Sequence, residues 1–159
     1  MYKVGDKIVY SVHGAGKIVD IKEIEILGDE KLYYILQLPI NNIQVSIPVE
    51  EADDAVIRPV ISQEEGKKVV EILKADKTKM SKNWSQRYRQ NLAAIKTGDI
   101  YEIAEIVRNL TILDMSKGLS ASEKKMLTKS KRILISELVI SGALDKEEAS
   151  DMIDDFITL

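Results

Sequence analysis

The chain has 159 residues, of which 45% are hydrophobic and 31% charged, with a net charge of −3 and no cysteine. That composition suits one medium or two small globular domains rather than a disordered chain, and it excludes disulfides, thiolate metal sites and a cysteine nucleophile. The opening MYKVGDK has no apolar run behind a basic start, and no stretch approaches the ~20 apolar residues that span a bilayer, so a cytoplasmic protein without a membrane partner is expected.

The first fifty residues read as β. Lys7 to Ser11 and Gly16 to Ile26 partly alternate apolar and polar residues, the period of a half-buried strand. Ile18, Ile21 and Ile24 break strict alternation, which predicts a bulge or bend in the longer strand. Gly28-Asp29-Glu30 reads as a turn, Lys31 to Leu38 as the next strand, and Ile43 to Val49 as another, with Pro48 placing it at an edge or a strand end. Short strands with tight turns predict a small barrel. The VHGAGK segment, residues 12–17, is not a P-loop: Lys17 is followed by Ile18 and leads into a strand, so Gly14 and Gly16 read as turn residues. His13 is the only histidine, so a metal pair has no second imidazole, and a turn or packing role is expected for it.

Residues 51–61 read as a connector, after which the pattern becomes helical. Ser62 with Glu65 forms a capping-box pattern before a helix from about Gln63 to Lys74. Residues 75–82, ADKTKMSK, form a polar basic loop. Ser81 or Asn83 can cap the next helix, Trp84 to Thr97, whose Tyr88, Leu92 and Ile95 share a face, with Gly98 as its stop. Asp99 caps a third helix to about Lys117, and Gly118 stops it. Ser120 with Glu123, a second capping box, starts a long helix to Ser141. Gly142 breaks it, and a last amphipathic helix runs from Asp145 to near Leu159 with Ala149, Ile153 and Phe156 on its apolar side.

Charge is unevenly spread along this layout. Residues 1–53 carry five lysines against nine acids, a net −4, and the tail 145–159 carries a net −5. Residues 74–98 carry seven cations against Asp76 alone, a net +6, and residues 117–132 a net +5. Two basic segments in an acidic chain point to a local polyanion site. The only tryptophan, Trp84, lies in the first of them among Lys79, Lys82, Arg87 and Arg89. Two readings of it are open: a buried anchor at a helix start with its cations solvated, or an exposed ring that stacks on bases or wedges into the minor groove. Lys124, Lys125, Lys129, Lys131 and Arg132 can extend the cationic track along a nucleic-acid backbone, and the lack of a major-groove reading helix predicts little sequence specificity. No nucleophile–base pair, tuned carboxylate pair or metal cluster stands out, so neither an enzyme, nor a cofactor, nor a small-molecule substrate is expected.

The chain resembles the CarD/CdnL family of bacterial transcription regulators over nearly its whole length. The residues that carry the likeness are Val4-Gly5-Asp6, Val9-Tyr10, His13-Gly14, Asn83-Trp84-Ser85, Arg87-Tyr88, Asn91-Leu92, Gly98-Asp99, Ala104-Glu105, Val107-Arg108, Gly118-Leu119-Ser120, Glu123-Lys124 and Met126-Leu127, in that order. The resemblance implies an α+β protein: a small Tudor-like β-barrel at residues 1–52, shared with transcription-repair coupling factor, a connector at 53–61, and an all-α domain of about five helices at 62–159. It implies that the barrel binds the β subunit of RNA polymerase and that the helical domain contacts promoter DNA at the upstream edge of the transcription bubble, so that the factor stabilises the open complex. Trp84 matches the family's minor-groove wedge, Arg87 and Arg89 its basic neighbours, and Lys124, with Lys125 beside it, a phosphate contact. Positions where some relatives carry polymerase-facing arginines are Ile24 and Ser46 here, with Val45 and Ile47 flanking the latter, and Gln86 stands where a basic residue can occur. A rival expectation is a protein–protein adaptor that makes no DNA contact.

Overall fold

The computed structural model describes residues 1–10, 13–39, 42–53, 57–97, 99–149 and 151. Strands β1 (Lys7–Tyr10), β2 (Gly14–Ile26), β3 (Asp29–Gln37), β4 (Gln44–Pro48) and β5 (Ile57–Pro59) form one antiparallel sheet in the order β4-β3-β2-β1-β5. Helices α1 (Gln63–Lys74), α2 (Trp84–Thr97), α3 (Ile100–Ser116) and α4 (Ala121–Ser141) follow, and residues 146–149 begin a further helical stretch. The architecture is α+β, as expected. Ile153 and Phe156, expected on the last helix, and Gly98, expected to stop α2, lie outside the described residues.

All five strands feed one core. Ile8, Ile18, Tyr34, Leu36, Ile47 and Ile57 are buried together, the inward halves of the strands' two-residue alternation. The register shifts between Ile18 and Asp20, so the expected irregularity in β2 is a bulge at Val19. The hairpin turn falls one residue earlier than its sequence suggested. Leu27 and Gly28 both have positive φ, 55° and 86°, while Asp29 already pairs with Ile26. Two successive residues with positive φ match the right-handed twist of the strands, and the leucine masked this turn in the sequence. The stretch Ile57–Pro59, inside the expected connector, pairs with β1 and forms one edge of the sheet. Three residues are too few to show a period.

The caps decide where the helices begin. Ser62 and Ser120 each accept from the N–H three residues on, and Glu65 and Glu123 return the bond to the cap backbone, while Asp99 accepts from Tyr101 and Glu102. Helix α3 is the centre of the bundle. Ala104, Val107 and Leu110 along it are almost fully buried, the first two against Val69 and Leu138 and the last against Met126.

Helix α4 also closes on the sheet, on the face opposite the barrel core. Ser136 Oγ accepts from the Ala15 N–H at 2.8 Å and donates to the Ile133 carbonyl at 2.6 Å. Next to it, Glu137 is fully buried and accepts from both Arg58 Nη atoms at 2.7 and 2.6 Å and from the Ile61 N–H at 3.0 Å. The approach requires Gly14: its φ is +111°, and a Cβ there would sit 2.6 Å from Ser136 Oγ. Gly14→Ala is expected to lower stability by about 1–3 kcal/mol through backbone strain and displacement of Ser136. A urea midpoint equal to that of the parent chain would show that α4 does not press on β2 in solution.

Candidate nucleic-acid interface

The loop from Ala75 to Asn83 presents the start of α2, and buried polar groups of α3 fix its course. Arg108 donates through Nη1 to the Ile72 carbonyl at 3.0 Å and through Nη2 to Thr78 Oγ1 at 3.3 Å. Asn109 accepts the Thr78 N–H at 3.0 Å and donates to Thr78 Oγ1 at 2.8 Å. Arg108 and Asn109 are about 95% buried, and their sequence neighbourhood reads only as an apolar helix, so sequence reasoning missed them. Of the two candidate caps, Asn83 does the capping: its Oδ1 accepts the Ser85 and Gln86 N–H groups at 3.0 and 3.1 Å. Trp84 is therefore the first residue of α2, and it is 55% exposed, so the ring is not a buried anchor.

Arg87 is not a surface cation. It is only 8% exposed, its Nε and Nη2 donate to Glu123 at 2.7 and 2.9 Å, and its Nη1 donates to the Ser81 carbonyl at 3.1 Å. The expectation that it reaches DNA is corrected: its guanidinium is spent tying α2 and the loop to the start of α4. Glu123 is the reason. The same carboxylate that completes the Ser120 cap faces inward and needs a cation. Burial pushes its carboxyl up, but the Arg87 hydrogen bond, the Ser120 N–H and hydroxyl, and the Arg87 charge together hold it below the usual value of about 4.5. A lowered folded-state value stabilises the fold above the unfolded carboxylate range and loses that contribution as pH falls through it. The stability gap between the parent chain and Glu123→Gln, read from urea midpoints, is expected to be full near pH 7 and to shrink below about pH 4.5. A gap independent of pH from 7 to 3 would contradict the paired carboxylate.

Most of the remaining candidate cations fall on two surfaces. Lys79 and Lys82 line a cleft of about 450 Å³ with Lys77 and Lys117, between the loop and the end of α3. Lys124, Lys125, Lys129 and Arg132 line a shallower groove along α4, together with Thr128. No acidic residue among the described residues lines either surface. Arg87 borders the first cleft, whereas Tyr88 borders a groove shared with Lys125 and Lys129. Trp84 precedes these two by three and four residues on α2 and is not among the residues that line either basic surface. Arg89 is exposed but borders neither cleft. Lys77 and Lys117 were not singled out in the sequence, because they lie forty positions apart and only the packing of the loop on α3 brings them together.

On the sheet, Ile24 pairs with Lys31 and Ser46 with Ile35, positions four apart on β3, so Ile24 and Ser46 share the outward face. Val45 and Ile47 point the other way. Ile47 is fully buried and Val45 packs on the same core, so the side chains expected there as partner contacts are core residues. Strand β4 ends the ladder, and its outer backbone groups have no strand partner among the described residues. No group of three or more His, Asp or Glu side chains among the described residues is placed to hold a metal ion, and no helix there is long and apolar enough to cross a membrane.

The family described as "CarD-like/TRCF RID domain" matches residues 2–61, and the family described as "CarD, C-terminal domain" matches residues 68–154. A Bacillus subtilis (strain 168) protein named "Putative transcription factor YdeB" is 42% identical over 148 residues, which cover 92% of this chain and 97% of that protein.

Proposed function

Because the chain belongs to the CarD-like family of transcription factors, we propose that it docks on the RNA polymerase β subunit through its sheet and stabilises the promoter open complex by wedging Trp84 into the minor groove at the upstream edge of the bubble. The observation that carries this reading is the exposed indole at the head of α2, in a helical domain that also presents two surfaces lined by lysines with no acid from the described residues. Lysines without base-reading partners attract a phosphate backbone of any sequence, and an apolar ring opens a base step. The docking surface is the outward face of β2–β4, with Ile24 and Ser46, and the free edge of β4, where backbone groups can extend a partner's sheet.

The energetics are modest. An interaction of about 1.4 kcal/mol made only with melted DNA shifts the closed–open equilibrium tenfold. Docking on polymerase supplies the effective concentration that weak DNA contacts lack. The test is the lifetime of competitor-resistant polymerase–promoter complexes. Adding the protein is expected to lengthen it several-fold, and an unchanged lifetime with the protein bound to polymerase would overturn the reading.

A further inference from the structure

We infer that Asn109, with Arg108 beside it on α3, is a positioning residue for the Trp84 wedge: through Thr78 it locks the loop that delivers the start of α2. This role rests on the wedge reading above and names the groups that aim the ring. Trp84 is 55% exposed and belongs to none of the three buried clusters, so core packing does not hold it. Its place is set by the backbone that carries it. On one side that backbone is the first turn of α2, tied to α4 by Arg87 and Glu123. On the other, residues 75–83 form neither helix nor strand, the kind of segment that ordinarily moves.

That segment is pegged at successive points instead. Asn109 Oδ1 accepts the Thr78 N–H at 3.0 Å, and Asn109 Nδ2 donates to Thr78 Oγ1 at 2.8 Å. The Met80 thioether accepts from Asn91 Nδ2 at 3.8 Å, and the Ser81 carbonyl accepts from Arg87. Arg108 donates to Thr78 Oγ1 and, through Nε and Nη2, to Asn109 Oδ1, so it steadies the amide as well as the loop. No carboxylate among the described residues lies within ion-pair distance of Arg108, so the guanidinium is not buried for the sake of a charge pair. Within that set, every side-chain hydrogen bond of Arg108 and Asn109 runs between the two, to Thr78 or to the Ile72 carbonyl. Polar groups at 4% and 5% exposure are a costly way to fill a helix interface, and apolar side chains of similar volume often stabilise one as well or better. What the pair adds is a fixed course for the loop. A ring held in place before it meets DNA gives up less conformational freedom on entry, so more of each contact goes into holding the melted state.

The experiment compares the full chain with Asn109→Ala, Asn109→Asp and Thr78→Val, and takes Trp84→Ala as the reference for a lost wedge. Urea midpoints report the fold. Time-resolved fluorescence anisotropy reports the motion of Trp84, the only tryptophan. The lifetime of competitor-resistant polymerase–promoter complexes is read as a function of protein concentration. In Asn109→Ala the indole is expected to gain nanosecond segmental motion. The lifetime reached at saturation is expected to fall several-fold, toward that of Trp84→Ala, while the concentration for half the effect, set by docking on polymerase, stays at the parent's value. Thr78→Val, at an exposed loop position, is expected to move anisotropy and lifetime the same way by less, at the parent's urea midpoint. Asn109→Asp keeps an acceptor for the Thr78 N–H and attracts Arg108, and is expected to recover most of what Asn109→Ala loses in both. If Thr78→Val, and Asn109→Ala wherever it folds, keep the parent's anisotropy and saturating lifetime while Trp84→Ala loses the lifetime effect, the positioning role falls and the wedge stands. If Trp84→Ala itself keeps the parent's lifetime, the wedge reading falls and the positioning role with it.

Discussion

Trp84→Ala is expected to leave the fold intact and to remove most of the protein's effect on open-complex lifetime. The indole is 55% exposed and belongs to none of the three buried clusters, so its removal opens no core cavity. Substitutions at such positions shift stability by no more than about 0.5 kcal/mol. Against melted DNA the same ring is expected to supply a contact worth about 1–3 kcal/mol, so the gain in lifetime should fall about fivefold or more. Trp84→Phe, which keeps a smaller apolar wedge, is expected to retain part of it. Urea midpoints and competitor-challenge lifetimes, measured side by side, separate the two effects. A midpoint that drops with Trp84→Ala would mean that the ring anchors the helical domain rather than serving DNA.

Arg58→Ala is expected to destabilise the chain by about 3–5 kcal/mol, because it leaves the Glu137 carboxylate charged, buried and without its fork. That is a large part of the roughly 5–15 kcal/mol that holds a typical domain folded. A paired replacement, Arg58→Met with Glu137→Leu, should recover much of the loss, since it removes the buried carboxylate together with the half-buried guanidinium that pairs with it. The consequence for function is positional. Arg58 lies on β5 of the sheet and Glu137 on α4, so their pair fixes the sheet relative to the helices. With Ser136 on Ala15, it holds Trp84 at a set distance from whatever the sheet binds. Arg58→Ala that remains folded is therefore expected to bind polymerase yet lose the lifetime effect. A cost below about 1 kcal/mol would show that the pair is not formed in solution.

The sequence was most legible where local chemistry decides structure. Ser62 with Glu65, Asp99, and Ser120 with Glu123 placed three helix starts within a residue, because a cap is a short-range device. Trp84 and its lysines were visible as a cluster for the same reason. What escaped depended on distant partners. Arg87 lies thirty-six residues from Glu123, and Arg58 seventy-nine from Glu137, so nothing local to either arginine marked its buried partner. Glu123 was read correctly as a cap, but that role hid its second one as the buried partner of Arg87. Strand β5 was too short to reveal itself, and a leucine in the left-handed region at Leu27 disguised the hairpin turn. The alternation that assigned β4 could have warned that Val45 and Ile47 face the core while Ser46 faces out.

The chain has no cysteine, so Ser85→Cys, an exposed position next to Trp84, offers a unique attachment point for a photoreactive azidophenacyl group. The labelled protein, bound to a polymerase–promoter open complex and irradiated, is expected to crosslink to DNA at the upstream edge of the bubble. Crosslinks that form only to polymerase subunits, with none to DNA, would contradict the wedge and make the protein an adaptor.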